Sequence, residues 1–529
     1  MNANLNTLGR GSLYAGLMAG ALAMPAGAQT ITAVMHSGLR VLDPVITTAH
    51  ITRDNASMIF DTLVSLNSDF EVVPQMAEYE VSEDGLTYTF TLRDGLTWHD
   101  GGEVTPADCI ASMKRWMERD GGGQMIADKM ESLEATGDNS FELVLTEPFP
   151  YTLTAMAKVS GLALFMMPER IASTPSDQAI EELIGSGPFK FVQEEFQPGV
   201  RVVFEKFEDY VVTPEPADWF SGAKEVLVDR VEWVTMPDAQ TAINALVNGE
   251  IDYMESVPVD LLPLLETVEG VETQVLNDLG SVTIGRMNFL HPPFDDPQIR
   301  RAAMMALNQE DVLTALIGNP EYYQVCGAIF GCGTPYEFTD GSETLTTGDG
   351  VEQATQLLEE SDYDGTPIVL MQPTDVVTLT AQPIVAAQAL RNVGFNVDMQ
   401  PMDWQTLVTR RASQAAPSDG GWNIFFTNWV VPEVSNPLAN VMLNGRGDEA
   451  WFGWPTDEEM NQMLADFGAA EDEETRKSLA EQMQAHVMEN VNYVHLGQYF
   501  SPAAWRSDVL SGVETAPFPV FWGVSKDEG

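Results

Sequence analysis

Residues 366–404 read TPIVLMQPTDVVTLTAQPIVAAQALRNVGFNVDMQPMDW, and this stretch decides the fold. TPIVLMQ predicts a strand, VVTLTAQPIVAAQALRNVG predicts a segment that is mostly helix and closes at Gly394, and FNVDMQPMDW predicts a second strand. A strand, a helix and a strand at this spacing form a βαβ unit whose strands pair in parallel. Because α/β folds place ligands at the carboxyl ends of such strands, Asp403 and Trp404 are candidates for the rim of a binding site.

A different pattern precedes this unit. In GLTYTFTLRDGLTWHDG, residues 85–101, apolar and polar side chains alternate, which predicts short antiparallel strands punctuated by Asp-Gly turns. The segment TPADCIASMKRWMERD, residues 105–120, predicts a helix with Thr105 as its N-cap and Pro106 as its first residue. We expect this helix to pack on the strands, because its apolar side chains share one face.

Helices and strands alternate in the later chain. DPQIRRAAMMALNQEDVLTALIG predicts a helix that begins at Asp296-Pro297 and runs to Gly318. TDEEMNQMLADFGAA and EETRKSLAEQMQAHVMEN predict two more helices before a C-terminal run rich in Pro, Phe and Trp. The alternation of helices and strands favours an α/β protein, and no tandem repeat is visible.

The first 28 residues have the pattern of a secretory signal peptide. Arg10 lies in a polar start, an apolar run follows from Leu13 to Met24, and Ala26-Gly27-Ala28 provides small residues for cleavage. No stretch of about 20 apolar residues recurs downstream, so we expect a soluble, exported chain. A bacterial periplasm is the favoured compartment, and the remaining chain is long enough for two or more domains.

The composition excludes several classes of partner. The chain has 79 acidic and 26 basic residues, spread along its length, and a formal net charge of −53. Nucleic acids and anionic membrane surfaces both require clustered Lys and Arg, so neither is expected as a partner. The acidic surface is typical of a protein that stays soluble in a salty medium.

Three cysteines are present. In an oxidising compartment, Cys326 and Cys332 of CGAIFGC are expected to form a disulfide and to leave Cys109 as a buried thiol. The alternative is that all three are free thiols.

Motifs typical of catalysis are missing from the sequence. It contains no G-x-S-x-G, no H-E-x-x-H, no P-loop and no G-x-G-x-x-G, and its six histidines include no i, i+4 pair. A glycosidase would need two carboxylates, but 79 acidic residues make any such pair uninformative. We therefore predict a binding protein without a cofactor or a metal site, with a secreted hydrolase as the less favoured alternative.

Five segments, in order along the chain, resemble one protein family. They are MIFDTLVSLNSDFEVVPQMAEYEVSEDGLTYTFTLRDGLTWHDGGEVTPADC, IGSGPFKF, NALVNGEIDYME, FDDPQIRRAAMMALN and LRNVGFNVDMQPMDW. Together they are similar to the family 5 extracytoplasmic solute-binding proteins of ABC transporters, the dipeptide- and oligopeptide-binding group. The resemblance covers essentially the whole chain after residue 28, and its specificity lies in the ordered set rather than in any single motif.

The resemblance implies an α/β, two-lobe periplasmic binding protein fold with a hinge. The implied parts are lobe I at residues 29–275 and 495–529, a β-rich subdomain inserted into lobe I at 75–180, and lobe II at 276–494. Two chain crossings, near 270–285 and 490–500, would form the hinge, and its closure would enclose the ligand between the lobes.

The resemblance also implies a set of ligand-binding residues. In peptide binders of the family, the loop after the strand that corresponds to NIFFTNW carries an acidic residue that meets the ligand amine. Glu433 lies near that position and Asn436 near the usual Asp-Pro, although the match needs a one-residue insertion and replaces Asp by Glu. Trp429 and Trp422 would offer flat faces for stacking or for holding a cation.

Two further segments contribute candidates. DPVITTAHITRDN matches a loop that lines the cleft in the family, which makes Thr47, Thr48, His50 and Arg53 candidates, with His50 near a position that is usually small. In GSGP, the backbone of Ser186 and Gly187 could face the cleft, although such a sequence commonly serves only to form the turn.

The implied ligand is a small solute. Aromatic residues with few cations favour a neutral, zwitterionic or cationic ligand over a polyanion, so a short peptide is the leading hypothesis and an oligosaccharide or amine-bearing solute the alternative. The implied partner is an ABC permease in the inner membrane, and a monomer is expected. Replacing Trp429 by Ala should weaken binding and leave the melting of the ligand-free protein nearly unchanged.

Overall fold

The computed structural model describes residues 29–159 and 161–527. The predicted signal peptide, residues 1–28, lies outside this part of the chain. Two large mixed sheets, each covered by helices, organise the described residues, and a smaller antiparallel sheet is inserted in the first half. In these ranges no helix is both long and apolar enough to cross a membrane.

The first large sheet has seven strands. Its central strand, Thr30–Val34, pairs in parallel with a strand on each side, and the outer pairs are antiparallel. In spatial order the strands are Val271–Val275, Pro502–Arg506, Tyr253–Met254, Thr30–Val34, Arg230–Val234, Arg201–Lys206 and Phe189–Phe191. The carboxyl end of Val271–Val275 pairs with the amino end of Pro502–Arg506, and at these two ends the chain crosses to and from the second sheet.

The second large sheet has six strands and contains the predicted βαβ unit. In spatial order they are Tyr323–Gln324, Val494–Tyr499, Ser281–Met287, Ile424–Val430, Ile368–Pro373 and Val397–Met402. Ile368–Pro373 and Val397–Met402 pair in parallel, with the helix Gln382–Val393 between them in the chain. Gly394 ends that helix at φ 111°, a conformation that glycine adopts without steric cost. The predicted βαβ unit is therefore present.

The inserted sheet has four antiparallel strands. In spatial order they are Ala77–Val81, Thr87–Leu92, Ser140–Leu145 and Met130–Ala135. Tyr88, Phe90 and Leu92 are buried on one face, as the alternation predicts. The helix Pro106–Met117 begins after Thr105, whose backbone N–H donates to the Asp108 carboxylate at 2.8 Å. Two short pairs complete the strands: Val64–Leu66 with Val72–Pro74, and Leu510–Ser511 with Ser525–Lys526.

Helices cover both large sheets. Those in the first half of the chain are His50–Ile59, Pro106–Met117, Gly121–Lys129, Thr152–Met156, Glu169–Ala172, Ala239–Val247 and Leu262–Leu265. Those in the second half are Pro297–Met305, Gln309–Leu316, Glu343–Thr347, Val351–Glu359, Gln382–Val393, Trp404–Arg410, Val431–Val434, Glu458–Ala469 and Glu473–Asn490. Short 3-10 turns lie at Gln193–Glu195, Val259–Leu261, Pro320–Tyr322, Pro417–Asp419, Val441–Leu443 and Gly447–Glu449.

One predicted helix is divided in two. The segment from Asp296 to Gly318 forms the helices Pro297–Met305 and Gln309–Leu316 rather than one continuous helix. Asn308 causes the break, because its side-chain oxygen accepts a hydrogen bond from Asp311 N at 3.1 Å and so caps the second helix. Asn at an N-cap competes with continuation of the helix before it.

The chain crosses between the two large sheets twice. It leaves the seven-stranded sheet after Val271–Val275 and enters the six-stranded sheet at Ser281–Met287. It returns after Val494–Tyr499, which still belongs to the six-stranded sheet, and enters Pro502–Arg506. The return therefore falls later than the boundary predicted at residue 495. The other predicted lobe boundaries stay predictions.

The structure contains a disulfide between Cys326 and Cys332, whose Cα atoms lie 6.0 Å apart. It closes a small loop beside the six-stranded sheet. Cys109 is a free, buried thiol in the helix Pro106–Met117, and burial raises the pKa of its thiol. Cys109 therefore remains protonated and unreactive at neutral pH.

Candidate functional site

A large cavity lies between the two sheets. Its empty volume is about 1300 Å³, a figure that includes the space at its open mouth. On the side of the seven-stranded sheet it is lined by His36, Tyr253, Glu255, Ala503 and the C-terminal segment from Leu510 to Val524. On the side of the six-stranded sheet it is lined by Ser281, Val376, Thr378, Trp404, Arg411, Thr427, Trp429 and Tyr499. Several of the latter follow strand ends, where α/β folds place ligands.

Five of the candidates from the sequence line this cavity: Thr48, His50, Arg53, Trp404 and Trp429. Trp429 lies near the end of the strand Ile424–Val430, and its ring meets those of Trp451 and His50 edge to face, with centroids 5.5 and 5.9 Å away. Its indole Nε1 has no hydrogen-bond partner among the described residues. Trp429 therefore offers the cavity a free N–H donor as well as an aromatic surface.

Glu433 does not face the cavity as a free carboxylate. Its side chain is 1% exposed. Oε1 accepts from Arg53 Nη1 at 2.7 Å, and Oε2 lies 3.0 Å from His50 Nε2 and accepts from Val430 N at 3.2 Å. Burial alone would raise the pKa of Glu433, but the charges and hydrogen bonds of His50 and Arg53 outweigh it and lower the pKa to about 2.

This arrangement corrects the role expected for Glu433. Arg53 and His50 lie on the helix His50–Ile59, in the part of the chain that forms the seven-stranded sheet, whereas Glu433 follows a strand of the six-stranded sheet. The carboxylate that was expected to meet a ligand amine therefore meets an internal cation. The reason is that His50 and Arg53 extend toward Glu433 from the facing wall.

Arg411 is the most unusual group in the cavity wall, and no sequence motif predicted it. It follows the helix Trp404–Arg410, and its side chain is 1% exposed. Nη2 donates to Thr48 Oγ1 at 3.4 Å, while Nε has no partner among the described residues. Burial lowers the pKa of Arg411 to about 9, and no carboxylate in the described part of the chain offsets this effect.

Aromatic rings surround the Arg411 guanidinium. Its central carbon lies 5.0 Å from the ring centre of Phe452, 5.6 Å from that of Trp404 and 5.9 Å from that of Trp451. The faces of such rings attract a cation but cannot neutralise it. A buried, uncompensated guanidinium at a cavity wall is suited to bind an anionic group of a ligand.

Two candidates that flank the strand Ile424–Val430, Trp422 and Asn436, do not line the cavity. Trp422 is 0% exposed and packs edge to face against Phe425, with ring centroids 4.9 Å apart, so it is a core residue and not a stacking surface. Asn436 is half-buried, and its side-chain oxygen accepts from Leu438 N at 3.0 Å. It shapes the turn before Pro437 and does not line the cavity. Phe425 is fully buried.

The GSGP turn is also structural. Gly187 N donates to Ile59 O at 2.8 Å, and a Cβ on Gly187 would lie 2.7 Å from the Ile59 backbone. Ser186 is buried, with Oγ 3.8 Å from Met76 Sδ. Glycine is therefore required for close packing against the end of the helix His50–Ile59, and neither Ser186 nor Gly187 lines the cavity.

Thr47 and Asp403 stabilise the chain beside the cavity without lining it. Thr47 Oγ1 accepts from Ala49 N at 3.2 Å, just before the helix His50–Ile59. Asp403 caps the helix Trp404–Arg410 by accepting from Thr406 N at 3.1 Å, and it forms an exposed ion pair with Arg40 at 2.9 Å. The end of the strand Val397–Met402 thus lies at the rim of the cavity, where Trp404 faces the cavity and Asp403 faces away.

Comparison with known proteins agrees with this architecture. The model for bacterial extracellular solute-binding proteins, family 5 middle, matches residues 71–449. A probable peptide ABC transporter periplasmic-binding protein of Sinorhizobium fredii is 37% identical over 533 residues, which cover 98% of this chain and 100% of that protein.

Two solved structures share the fold. The periplasmic binding protein AgaA in complex with agropinic acid, from A. tumefaciens, superposes with a TM-score of 0.79 at 20% identity and covers 94% of this chain and 99% of its own. DppA from Helicobacter pylori, in complex with the peptide STSA, gives 0.78 at 19% identity, covering 94% and 98%.

The fold is therefore that of a two-lobe periplasmic binding protein, with the cavity between the lobes. The chain belongs to family 5 of the bacterial extracellular solute-binding proteins. This family consists of substrate-binding proteins of transporters rather than enzymes, which agrees with the prediction made from the resemblance.

Proposed function

We propose that this protein captures a short peptide, or another small solute with a free carboxylate, and delivers it to an ABC permease. The 37% identical relative from S. fredii, named as a probable peptide transporter component, supports this assignment. We place the protein in the periplasm as a monomer, exported by residues 1–28 and without catalytic activity. The lobe boundaries predicted from the sequence, with the return crossing moved past Tyr499, define the two bodies that close on the solute.

The observation that carries the proposal is Arg411. A ligand carboxylate can accept two parallel hydrogen bonds from one guanidinium, and such a bond is strongest where water is excluded. Arg411 lines the cavity, and its Nε is buried and has no partner within the described ranges. The ligand would then supply the negative charge that the wall around Arg411 lacks.

The rest of the cavity suits the remainder of such a solute. Trp429 and Trp404 present aromatic surface, and Trp429 Nε1 can donate to a peptide carbonyl. Glu514 also lines the cavity and provides a carboxylate for a ligand amine, because Glu433 is engaged by Arg53 and His50, and Glu255 by His36. An oligosaccharide would use the aromatic surfaces but would leave Arg411 uncompensated, so it is the second candidate.

Closure of the lobes is the proposed mechanism. Arg411 and Trp451, which lie in the second half of the chain, both donate to Thr48 Oγ1, at 3.4 and 3.0 Å. Arg53 reaches Glu433 across the same gap. A solute that contacts both walls binds the closed form better than the open form and so shifts the population toward closure.

The test compares peptides with and without a free carboxylate. A thermal-shift screen of ligand-free protein would use short peptides, their C-terminally amidated forms, oligosaccharides and amines. The free peptides should raise the melting temperature in proportion to ln(1 + [L]/Kd), and the amides should raise it far less. Equal responses to acids and amides would remove the role of Arg411, and a response to sugars alone would overturn the peptide assignment.

A further inference from the structure

Three side chains from distant parts of the chain meet at the edge of the cavity. His36 follows the strand Thr30–Val34, Glu255 follows the neighbouring strand Tyr253–Met254, and Asp54 lies on the helix His50–Ile59. His36 and Glu255 line the cavity, and Asp54 is buried beside them. One nitrogen or oxygen atom from each of the three lies within 4.8 Å of the others.

The distances suit a small cation. His36 Nδ1 is 2.9 Å from each carboxylate oxygen of Glu255 and 4.0 Å from Asp54 Oδ2. Donor atoms around a four-coordinate zinc ion lie roughly 3.3 Å apart, so the observed separations bracket the value that coordination needs. The backbone N–H of His36 also donates to Glu255 Oε2 at 2.7 Å, which holds this carboxylate in place.

Asp54 provides independent support for a bound ion. Its side chain is 1% exposed, and Oδ2 has no hydrogen-bond donor in the described part of the chain. Oδ1 accepts from Arg53 Nε and Nη2 at 2.9 and 2.8 Å, which fixes the carboxylate and directs Oδ2 toward His36. A buried carboxylate oxygen without a partner is costly, and burial raises the pKa of Asp54, so Oδ2 is stabilised by either a proton or a cation.

We propose that His36, Asp54 and Glu255 bind a divalent transition-metal ion of the Zn²⁺ or Ni²⁺ class. One imidazole nitrogen with two carboxylate oxygens suits such ions, whereas Mg²⁺ and Ca²⁺ prefer oxygen donors alone. The two carboxylates balance the charge of the ion. Arg53 pairs with both Asp54 and Glu433, at 2.8 and 2.7 Å, so Glu433 takes up part of its charge. Three protein donors leave a further coordination position on the cavity side.

Metal binding at this site exchanges a proton for the ion. His36 must present a lone pair, so the ring releases the proton from the nitrogen that faces Glu255, and affinity should fall at acidic pH. The competing arrangement is a protonated His36 held between the two carboxylates, which would bind no metal. The site is separate from Arg411, so the test requires no solute.

Isothermal titration calorimetry with the metal alone tests the site. Tag-free mature protein, stripped with a chelator, would be titrated at neutral pH with ZnCl₂ and separately with NiCl₂. The wild type should bind with one-to-one stoichiometry. His36→Ala, Asp54→Asn and Glu255→Gln should each weaken binding by at least about tenfold, because the first removes the imidazole donor and the other two replace an anionic carboxylate with a neutral amide.

A matched control is His291→Ala, since His291 is a partly exposed histidine whose Nε2 lies 2.9 Å from Gln414 O, away from the cluster. It should leave the titration unchanged. Circular dichroism would establish that each variant folds, and if Asp54→Asn does not, the other two substitutions carry the test. Absence of one-to-one binding in the wild type, or full retention of binding in all folded variants, overturns the proposal.

Discussion

Arg53 and Glu433 lie 380 positions apart in the chain and form a buried ion pair, with Nη1 and Oε1 2.7 Å apart. The pair spans the gap between the helix His50–Ile59 and the short helix Val431–Val434, which follows the strand Ile424–Val430. The resemblance to peptide binders had predicted that Glu433 meets the ligand. Here the protein supplies its own cation, so the contact exists before any solute binds.

Glu433→Gln should destabilise the ligand-free protein. The substitution keeps the shape of the side chain but leaves Arg53 with only Asp54 as a buried anionic partner, and breaking a buried pair costs about 3 kcal/mol. Urea denaturation at neutral pH would measure the loss. Asp403→Asn is the control, because its pair with Arg40 is exposed and should contribute less than about 1 kcal/mol. Equal losses for both variants would contradict the special role of the buried pair.

Stability should fall in acid partly through Glu433. Its pKa is about 2 in the folded protein, below the ordinary value of 4.5. A lowered carboxylate pKa stabilises the fold above the unfolded value, and this stabilisation is lost as the pH falls from about 4.5 toward 2. Melting curves across this range should therefore decline more steeply for the wild type than for Glu433→Gln. Parallel declines would show that other carboxylates control acid unfolding.

Arg411→Met should separate binding from stability. Removing the guanidinium should abolish the preference for peptides with a free carboxylate and weaken their binding by about 2 kcal/mol or more. The ligand-free protein should melt at the same temperature or higher, because an uncompensated buried cation is replaced by an apolar side chain of similar length.

Calorimetric titration of paired acid and amide peptides would measure the first effect of Arg411→Met, and thermal melting the second. Arg410→Met is a matched control on the preceding residue, since its guanidinium bonds to Gln400, Gly420 and Gly421 and does not line the cavity. A strong loss of peptide binding in this control would point to disruption of the helix end rather than loss of a ligand contact.

Trp429 needs a gentler substitution than alanine. It is 3% exposed and packs against Trp451 and His50, so Trp429→Ala should cost about 3 kcal/mol of stability, contrary to the expectation from the sequence. Trp429→Phe keeps an aromatic ring but removes the indole N–H together with part of the ring system. It should weaken peptide binding by about 1 kcal/mol and lower the melting temperature of the ligand-free protein less than Trp429→Ala does. Unaltered peptide affinity would exclude Nε1 as a ligand donor.

Local patterns predicted the secondary structure well. The βαβ unit at residues 366–404, the Asp-Gly turns around the strand Thr87–Leu92 and the cap at Thr105 all depend on neighbours within a few positions. The division at Asn308 was missed because a side-chain cap inside an otherwise helical pattern leaves the periodicity of the apolar residues almost intact. Only the hydrogen bond from Asp311 N to the side-chain oxygen of Asn308 reveals the break between the two helices.

The site was only partly predictable. The resemblance found Thr48, His50 and Arg53, and the strand-end rule found Trp404. Neither could show that Trp422 points into the core. Both faces of the strand Ile424–Val430 and the residues before it are buried, so apolar and polar side chains do not alternate there.

By itself, the sequence determined the elements, the family and the segments that border the cleft, because these follow from short-range periodicity, capping and ordered motifs. Only the tertiary structure shows that Glu433 meets Arg53, that Arg411 has no counter-charge among the residues described, and that His36, Asp54 and Glu255 converge. Charge pairing in a buried site depends on which side chains the two sheets bring within a few ångströms, and residues hundreds of positions apart carry no local mark of that proximity.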